Sequence, residues 1–223
     1  MTAARIPPLP KAEWSPEMTE FIGGFRSAVK GDGPEENRQS GSNLLGTFAR
    51  YPELAKAFLT FNGHLLYGST LTARQRELLI LRVAALRNCG YEWAQHTILA
   101  EKAGLSPEEI ARVAAGPDAP GWPPLERALV RAADELLSDG AVGDATWDVL
   151  AREFDDRRLM DVVFTVGTYE LLAMALSSFG VQPEAALVPY LPDRCGPPAP
   201  GLPGSRDERR RSGGGCARRG CGP

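Results

Sequence analysis

Apolar positions recur along the chain at helical rather than strand spacing, and the pattern changes character from one segment to the next. The stretch from Leu71 to Leu105 organises the rest. Thr72, Ala73, Arg74 and Gln75 form a capping box that starts a helix at about Ala73. Leu78, Leu79, Ile80, Leu81, Val83, Ala84, Ala85 and Leu86 then fall on every side of the axis at roughly 100° per residue, the pattern of a helix packed by neighbours all round. Glu77 falls inside that belt beside Ile80, Leu81 and Ala84, so its carboxylate is expected to be partly desolvated. A turn from Arg87 to Gly90 follows. Asn88 is the expected N-cap of a second helix, which runs to about Ala103 and stops at Gly104.

Before this pair, Pro7, Pro8 and Pro10 predict an extended arm, and Ser15 with Pro16 predicts a helix start running to about Val29. Lys30 to Ser42 reads as a loop, either a cover for a site or plain slack, and Asn43 to Arg50 as a short helical turn. Pro52 opens a helix to about Tyr67, with Leu54, Phe58, Phe61 and Leu65 as its core face. After the pair, Ser106, Pro107 and Glu109 mark a helix to Ala115, Pro123 or Pro124 one to about Leu137, and Asp144 caps one reaching Glu153. The longest runs from Asp156 to Phe179, with Leu159, Val162, Val163, Val166, Leu171, Met174 and Leu176 as its apolar residues and Gly167 as a point of close helix approach. Strand alternation is missing, so the fold class is all-α, a bundle of about seven to eight helices. Residues 1–191 form the helical domain. From Pro192 the sequence turns to Pro, Gly and Arg, and residues 192–223 read as a disordered tail, a solvated extension.

At 223 residues and 43% hydrophobic content the chain can bury one substantial core. No stretch of about 18 apolar residues suggests a membrane span, and Met1 to Pro10 lacks the apolar region of a secretory signal, so a soluble cytoplasmic protein is expected. The net charge is −3, yet the tail holds seven arginines against Asp193, Asp207 and Glu208. The remainder is therefore at −7, which argues against a nucleic-acid partner. Of the cysteines, Cys195, Cys216 and Cys221 lie in the tail and Cys89 stands alone in the helical part, so no disulfide framework is implied.

Candidate chemistry gathers at the start of the second helix. Cys89, Glu92, Trp93 and His96 fall within one arc of about 100°. A thiol at a helix start feels the positive end of the dipole, which favours thiolate, and Glu92 and His96 sit one turn apart, within hydrogen-bonding reach. His96 suits proton transfer because imidazole titrates near neutrality. Glu77 is either a tuned base or a carboxylate paired with an arginine such as Arg74. Tyr91 orients a substrate oxygen or packs its ring, Trp93 lines a site or the core, and His64 reads as structural. Metal-ligand spacing and phosphate-loop glycines are both missing, so neither a metal nor another cofactor is expected.

These residues resemble the carboxymuconolactone decarboxylase family, which includes the alkylhydroperoxidase AhpD. The pattern is Leu71-Thr72, Arg76-Glu77-Leu78, Tyr91-Glu92-Trp93 with His96, Gly104-Leu105-Ser106 and Glu108-Glu109-Ile110. The resemblance implies an all-helical AhpD-like bundle that assembles as a homotrimer or homohexamer. Its peroxidase branch carries a CxxC, a glutamate and a histidine; Cys89, Glu77 and His96 match the first cysteine, the glutamate and the histidine, while Glu92 stands where the second cysteine would be. That exchange removes the local dithiol. The decarboxylase branch has a glutamate and histidine four apart, as Glu92 and His96 are. The resemblance therefore implies first a cofactor-independent lyase acting on a small cyclic acid or lactone, with Glu77, Cys89, Glu92 and His96 catalytic and Tyr91 and Trp93 binding substrate. Second comes a peroxiredoxin-type oxidoreductase using Cys89, and third a non-catalytic, ligand-binding oligomer.

Overall fold

The computed structural model describes residues 4–28 and 41–192. The expected end of the first helix at Val29, most of the loop from Lys30, and the tail with Cys195, Cys216 and Cys221 lie outside the described residues. Within them the chain is all-α: α1 (Pro16–Ala28), α2 (Ser42–Phe48), α3 (Pro52–Gly63), α4 (Ala73–Leu86), α5 (Gly90–Lys102), α6 (Pro107–Ala115), α7 (Pro124–Asp139), α8 (Asp144–Glu153) and α9 (Asp156–Phe179).

Helix α4 is the axle. Its capping box forms as the sequence predicts, with Thr72 and Gln75 each accepting the other's backbone N–H. Leu78, Leu79, Ile80, Leu81, Val83 and Ala84 are wholly enclosed by α5, α6, α7 and α9. The polar residues of α4 are tied off individually. Arg82 is buried and donates from Nε to Asp134 Oδ1 (2.5 Å) and from Nη1 to the carbonyls of Val113 and Ala114, clamping α6 onto α7. A Cβ at Gly116, whose φ is +102°, would lie 3.0 Å from Arg82 Nη2, so this turn needs glycine for its backbone and for the guanidinium's room. Arg74 donates to Glu109 and Glu126 and not to Glu77, correcting one of the pairings expected for it. The Arg74 guanidinium holds the Glu109 carboxyl down at about 2.

A smaller cluster of Trp14, Met18, Ile22, Ala49, Ala55 and Leu59 joins α1 to α2 and α3, with Phe48 and Phe58 bridging to the main core. The buried face of α3 is therefore not the one expected. Leu65 is buried, but Leu54 and Phe61 are 53% and 42% exposed, and Ala55 and Leu59 take the interior. Ala55 and Leu59 face Trp14, Met18 and Ile22 of the N-terminal segment, and the turn that follows α3, His64–Gly68, is wound as a π-helix. Two other expectations shift. Gly143, not Asp144, is the N-cap of α8, and a Cβ at Gly167 would meet nothing within 4 Å, so no described helix packs there.

Among the described residues α9 is long and apolar enough to cross a membrane by length and composition, and half of that window is buried inside the bundle.

The α3 assignment is directly measurable. Leu59→Ala should cost about 3 kcal/mol in chemical denaturation, as buried leucines do. Leu54→Ala should cost less than about 0.5 kcal/mol, and equal losses would restore the original face.

Candidate functional site

Two local devices bring the reactive side chains together. The capping box fixes the phase of α4 and turns Glu77 inward, and a sharp reversal fixes the phase of α5. Asn88 is part of that reversal in the left-handed region (φ +50°), so it is not the expected N-cap. Cys89 is the N-cap residue instead, and its amide donates to Ala84 O at 2.9 Å.

The reversal lays His96 against Glu77. His96 Nδ1 lies 2.7 Å from Glu77 Oε2, both side chains being almost wholly buried. Arg76 Nε stands 3.4 Å from the other carboxylate oxygen. Glu77 is thus shared between a histidine and its own neighbour in sequence. The Tyr169 ring meets His96 edge-on, with centroids 4.9 Å apart at 87°, and locks the imidazole plane from α9. Burial, with Glu77 and Glu92 nearby, holds the Tyr169 hydroxyl proton well above its usual range.

Glu92 lies on the same helix, but it does not bond His96 as expected. The imidazole nitrogen facing α4 is already taken by Glu77. Both Glu92 oxygens are buried without a hydrogen-bond partner, and the residue is 1% exposed. Burial therefore pushes its carboxyl well above the ordinary 4.5. The expected Cys89 thiolate is corrected for a related reason. Backbone groups of Glu92 and Tyr91 and the Ser177 side chain hydrogen-bond the sulfur and favour its ionised form. Desolvation first, and the Glu92 carboxyl second, outweigh them and push the thiol up to about 12.

The structure thus gathers Glu77 and His96 into direct contact and sets Glu92 and Cys89 beside each other. Tyr91 and Trp93 point to other neighbours. The Tyr91 hydroxyl donates to Glu184 Oε1 at 3.3 Å, the same oxygen that accepts the Asn43 amide at the start of α2. Trp93 is half-buried against the main core. His64 is exposed. Residues that sequence reasoning missed are Tyr169 and Ser177, which α9 delivers from far along the chain, and Arg76 as the second partner of Glu77. Arg76 adjoins Glu77 in a motif that was visible; nothing in the period of α9 separates Tyr169 from an ordinary core aromatic.

An all-α bundle with this buried carboxylate and histidine at the meeting of two helices defines an AhpD-like fold. Residues 52–135, spanning α3 to most of α7 and including Glu77, Cys89, Glu92 and His96, match the carboxymuconolactone decarboxylase family. No curated relative matches the sequence. Among solved structures, a peroxidase-related protein of Silicibacter sp. TM1040 is similar at 20% identity and a TM-score of 0.66, covering 84% of this chain and 97% of its own. The alkylhydroperoxidase AhpD core, peroxidase-related protein of Ralstonia eutropha JMP134 is similar at 21% identity and a TM-score of 0.63, covering 83% and 96%. The debrominase Bmp8 is similar at 16% identity and a TM-score of 0.64, covering 82% and 93%. At these identities the likeness is one of fold.

The state of Glu92 has a consequence for stability. The unfolded chain releases this proton near 4.5, whereas the folded chain keeps it to higher pH, so folding takes up a proton across the interval between. The side chain's contribution is complete below about pH 4.5 and is lost as pH rises towards the folded pKa. Between pH 5 and 8 the wild type should therefore lose stability relative to Glu92→Gln, seen as a melting-point gap between the two that opens as pH rises. A gap independent of pH would mean that Glu92 is ionised in the fold.

Proposed function

We propose that this protein is a cofactor-free acid–base enzyme of the carboxymuconolactone decarboxylase type, acting on a small cyclic carboxylic acid or lactone. The observation that carries this reading is the buried 2.7 Å contact between His96 Nδ1 and Glu77 Oε2. With Nδ1–H donated to the carboxylate, the tautomer is set and Nε2 is the nitrogen that exchanges a proton with substrate. In a decarboxylation, the bond between the substrate carbon and its carboxylate breaks, CO2 leaves, and the electron pair passes into the adjacent carbonyl as an enolate. His96 returns a proton to carbon and is reprotonated from water. A neutral Glu92 supplies a hydrogen-bond donor to the enolate oxygen, a task that an ionised carboxylate would oppose.

A thiol-peroxidase reading stays second because Cys89 sits at a helix start with hydrogen-bonding groups around its sulfur. In that chemistry the thiolate attacks the peroxide O–O bond, an alcohol or water leaves, and a second thiol reduces the sulfenic acid. Burial beside Glu92 works against it by keeping the proton on sulfur, and Glu92 itself cannot resolve a sulfenic acid.

The two readings separate experimentally. With carboxymuconolactone as the first probe in a panel of lactone acids, His96→Ala should lower turnover by at least about 100-fold and Glu77→Gln by about 10-fold or more. Product formed in heavy water should carry deuterium at the carbon that had borne the lost carboxylate. Variants as active as the wild type would remove the dyad from the mechanism. Dilute alkyl hydroperoxide followed by mass spectrometry should leave Cys89 unmodified; a sulfenic acid there would promote the thiol reading.

A further inference from the structure

Four arginines lie on α4 or at its C-cap, and three of them end on carboxylates through hydrogen bonds: Arg74 on Glu109 and Glu126, Arg82 on Asp134, and Arg87 on Glu170. Arg76 is different. Its Nε comes within 3.4 Å of Glu77 Oε1 without making a hydrogen bond, and it is buried with no acceptor among the described residues. The closer contact of Glu77 is with His96 Nδ1, at 2.7 Å. A guanidinium has five N–H donors, and a buried one left without an acceptor is costly, the more so when it carries charge.

The place of Arg76 in the site points the same way. The reactive pair is closed off from solvent, with Glu77 at 1% exposure, His96 at 7% and the Tyr169 ring that braces the imidazole at 1%. Arg76 is half-buried, and Tyr67, on the π-wound turn that packs against α9, is 58% exposed. Desolvation first, opposed by Arg76 and joined by Glu77, still holds the Tyr67 hydroxyl proton above its usual range. Exposure therefore rises from the pair through Arg76 to Tyr67, and a ligand arriving from solvent meets these groups in the reverse order.

We propose that Arg76 is the specificity residue of this site, its guanidinium binding a carboxylate that the substrate keeps through the reaction, with the Tyr67 hydroxyl as a second donor. This rests on the reading of Glu77 and His96 as the reacting pair. The planar fork of a guanidinium matches the two oxygens of a carboxylate. Residues 1–191 are net negative, so an anion is drawn in by local charge alone, and Arg76 offsets the repulsion that Glu77 would exert on it. Charge also decides which group is held. Loss of CO2 sends the electron pair of the breaking bond away from the carboxylate, and a cation fixed on that carboxylate would hold the pair back. The group on Arg76 is therefore one that stays on the molecule.

The test uses the full chain at low salt and neutral pH, with benzoate and its neutral counterpart benzamide as probes, so that binding is read without turnover. In titration calorimetry the wild type should bind benzoate at least about 10-fold more tightly than benzamide, the effect of a charge-assisted hydrogen bond. Arg76→Gln should abolish that preference, Arg76→Lys should keep part of it, and Tyr67→Phe should weaken benzoate by about 3-fold or more. Circular dichroism establishes that each variant is folded, and Tyr67→Phe, at an exposed position, together with the wild-type preference carries the test where Arg76→Gln does not fold. With carboxymuconolactone, Arg76→Gln should raise KM by a larger factor than it lowers kcat, whereas His96→Ala should do the reverse. A wild type that binds the two probes equally, or binds neither, overturns the proposal. So does Arg76→Gln that keeps the preference, since water alone would then satisfy the Arg76 donor. Loss of the preference in Arg76→Gln beside a His96→Ala protein as active as the wild type supports the carboxylate site and overturns the acid–base reading instead.

Discussion

A carboxylate is buried in the most apolar helix of the protein, and the rest of the site follows from what that requires. An ion moved from water into such a place carries a penalty of several kcal/mol unless opposite charge and hydrogen bonds are supplied at once. Glu77 receives both, from His96 on α5 and from Arg76 one residue before it. His96 reaches it through the left-handed turn at Asn88, which sets α5 against α4, while the capping box at Thr72 starts the helix that carries both Arg76 and Glu77. The axle can therefore carry this carboxyl without losing its packing, since the group faces the seam between two helices rather than hydrocarbon.

The second carboxyl of the site shows the opposite solution to the same cost. Neither Glu92 oxygen has a hydrogen-bond partner, and burial raises its pKa. Its presence then makes the neighbouring Cys89 thiol harder to ionise, so one substitution relative to a CxxC alters two groups. A pair of carboxyls held in contrasting environments, one partnered and one bare, is the arrangement by which a site separates a base from an acid. The dipole at the start of α5 acts on Cys89 in the expected direction, but its size of about 1 kcal/mol is too small to compete with complete desolvation.

Helix α9 links this chemistry to the outside. Its inner face supplies Tyr169 to the imidazole and Ser177 to the sulfur, while its outer face leaves Met160, Phe164, Leu171 and Met174 exposed. A helix that is apolar on nearly every side reads as central from its sequence, yet only one side of it is covered within the bundle. The orientation of Tyr169 and the exposure of Met160 and Met174 therefore belong to one rigid element.

What the sequence settled by itself is what short-range physics settles. The starts of α4 and α6 follow from side chains bonding amides three residues away, and the extent of α9 follows from an unbroken helical period. The nearness of Glu77, Cys89, Glu92 and His96 followed from two helices joined by a tight turn. Tertiary structure decided which of those groups touch. Two carboxylates competed for one imidazole, and Glu77 on the neighbouring helix won over Glu92 one turn away, because helix packing set the ring against α4. It also decided which face of α3 is buried, since α1 and the end of α2 pack on the side of Ala55 and Leu59 and leave Leu54 outside. Protonation was the last thing to be fixed. It depends on how completely neighbours exclude water from Glu92 and Cys89, and that exclusion is a sum over α4, α5, α9 and the chain beyond, which no local pattern of residues encodes.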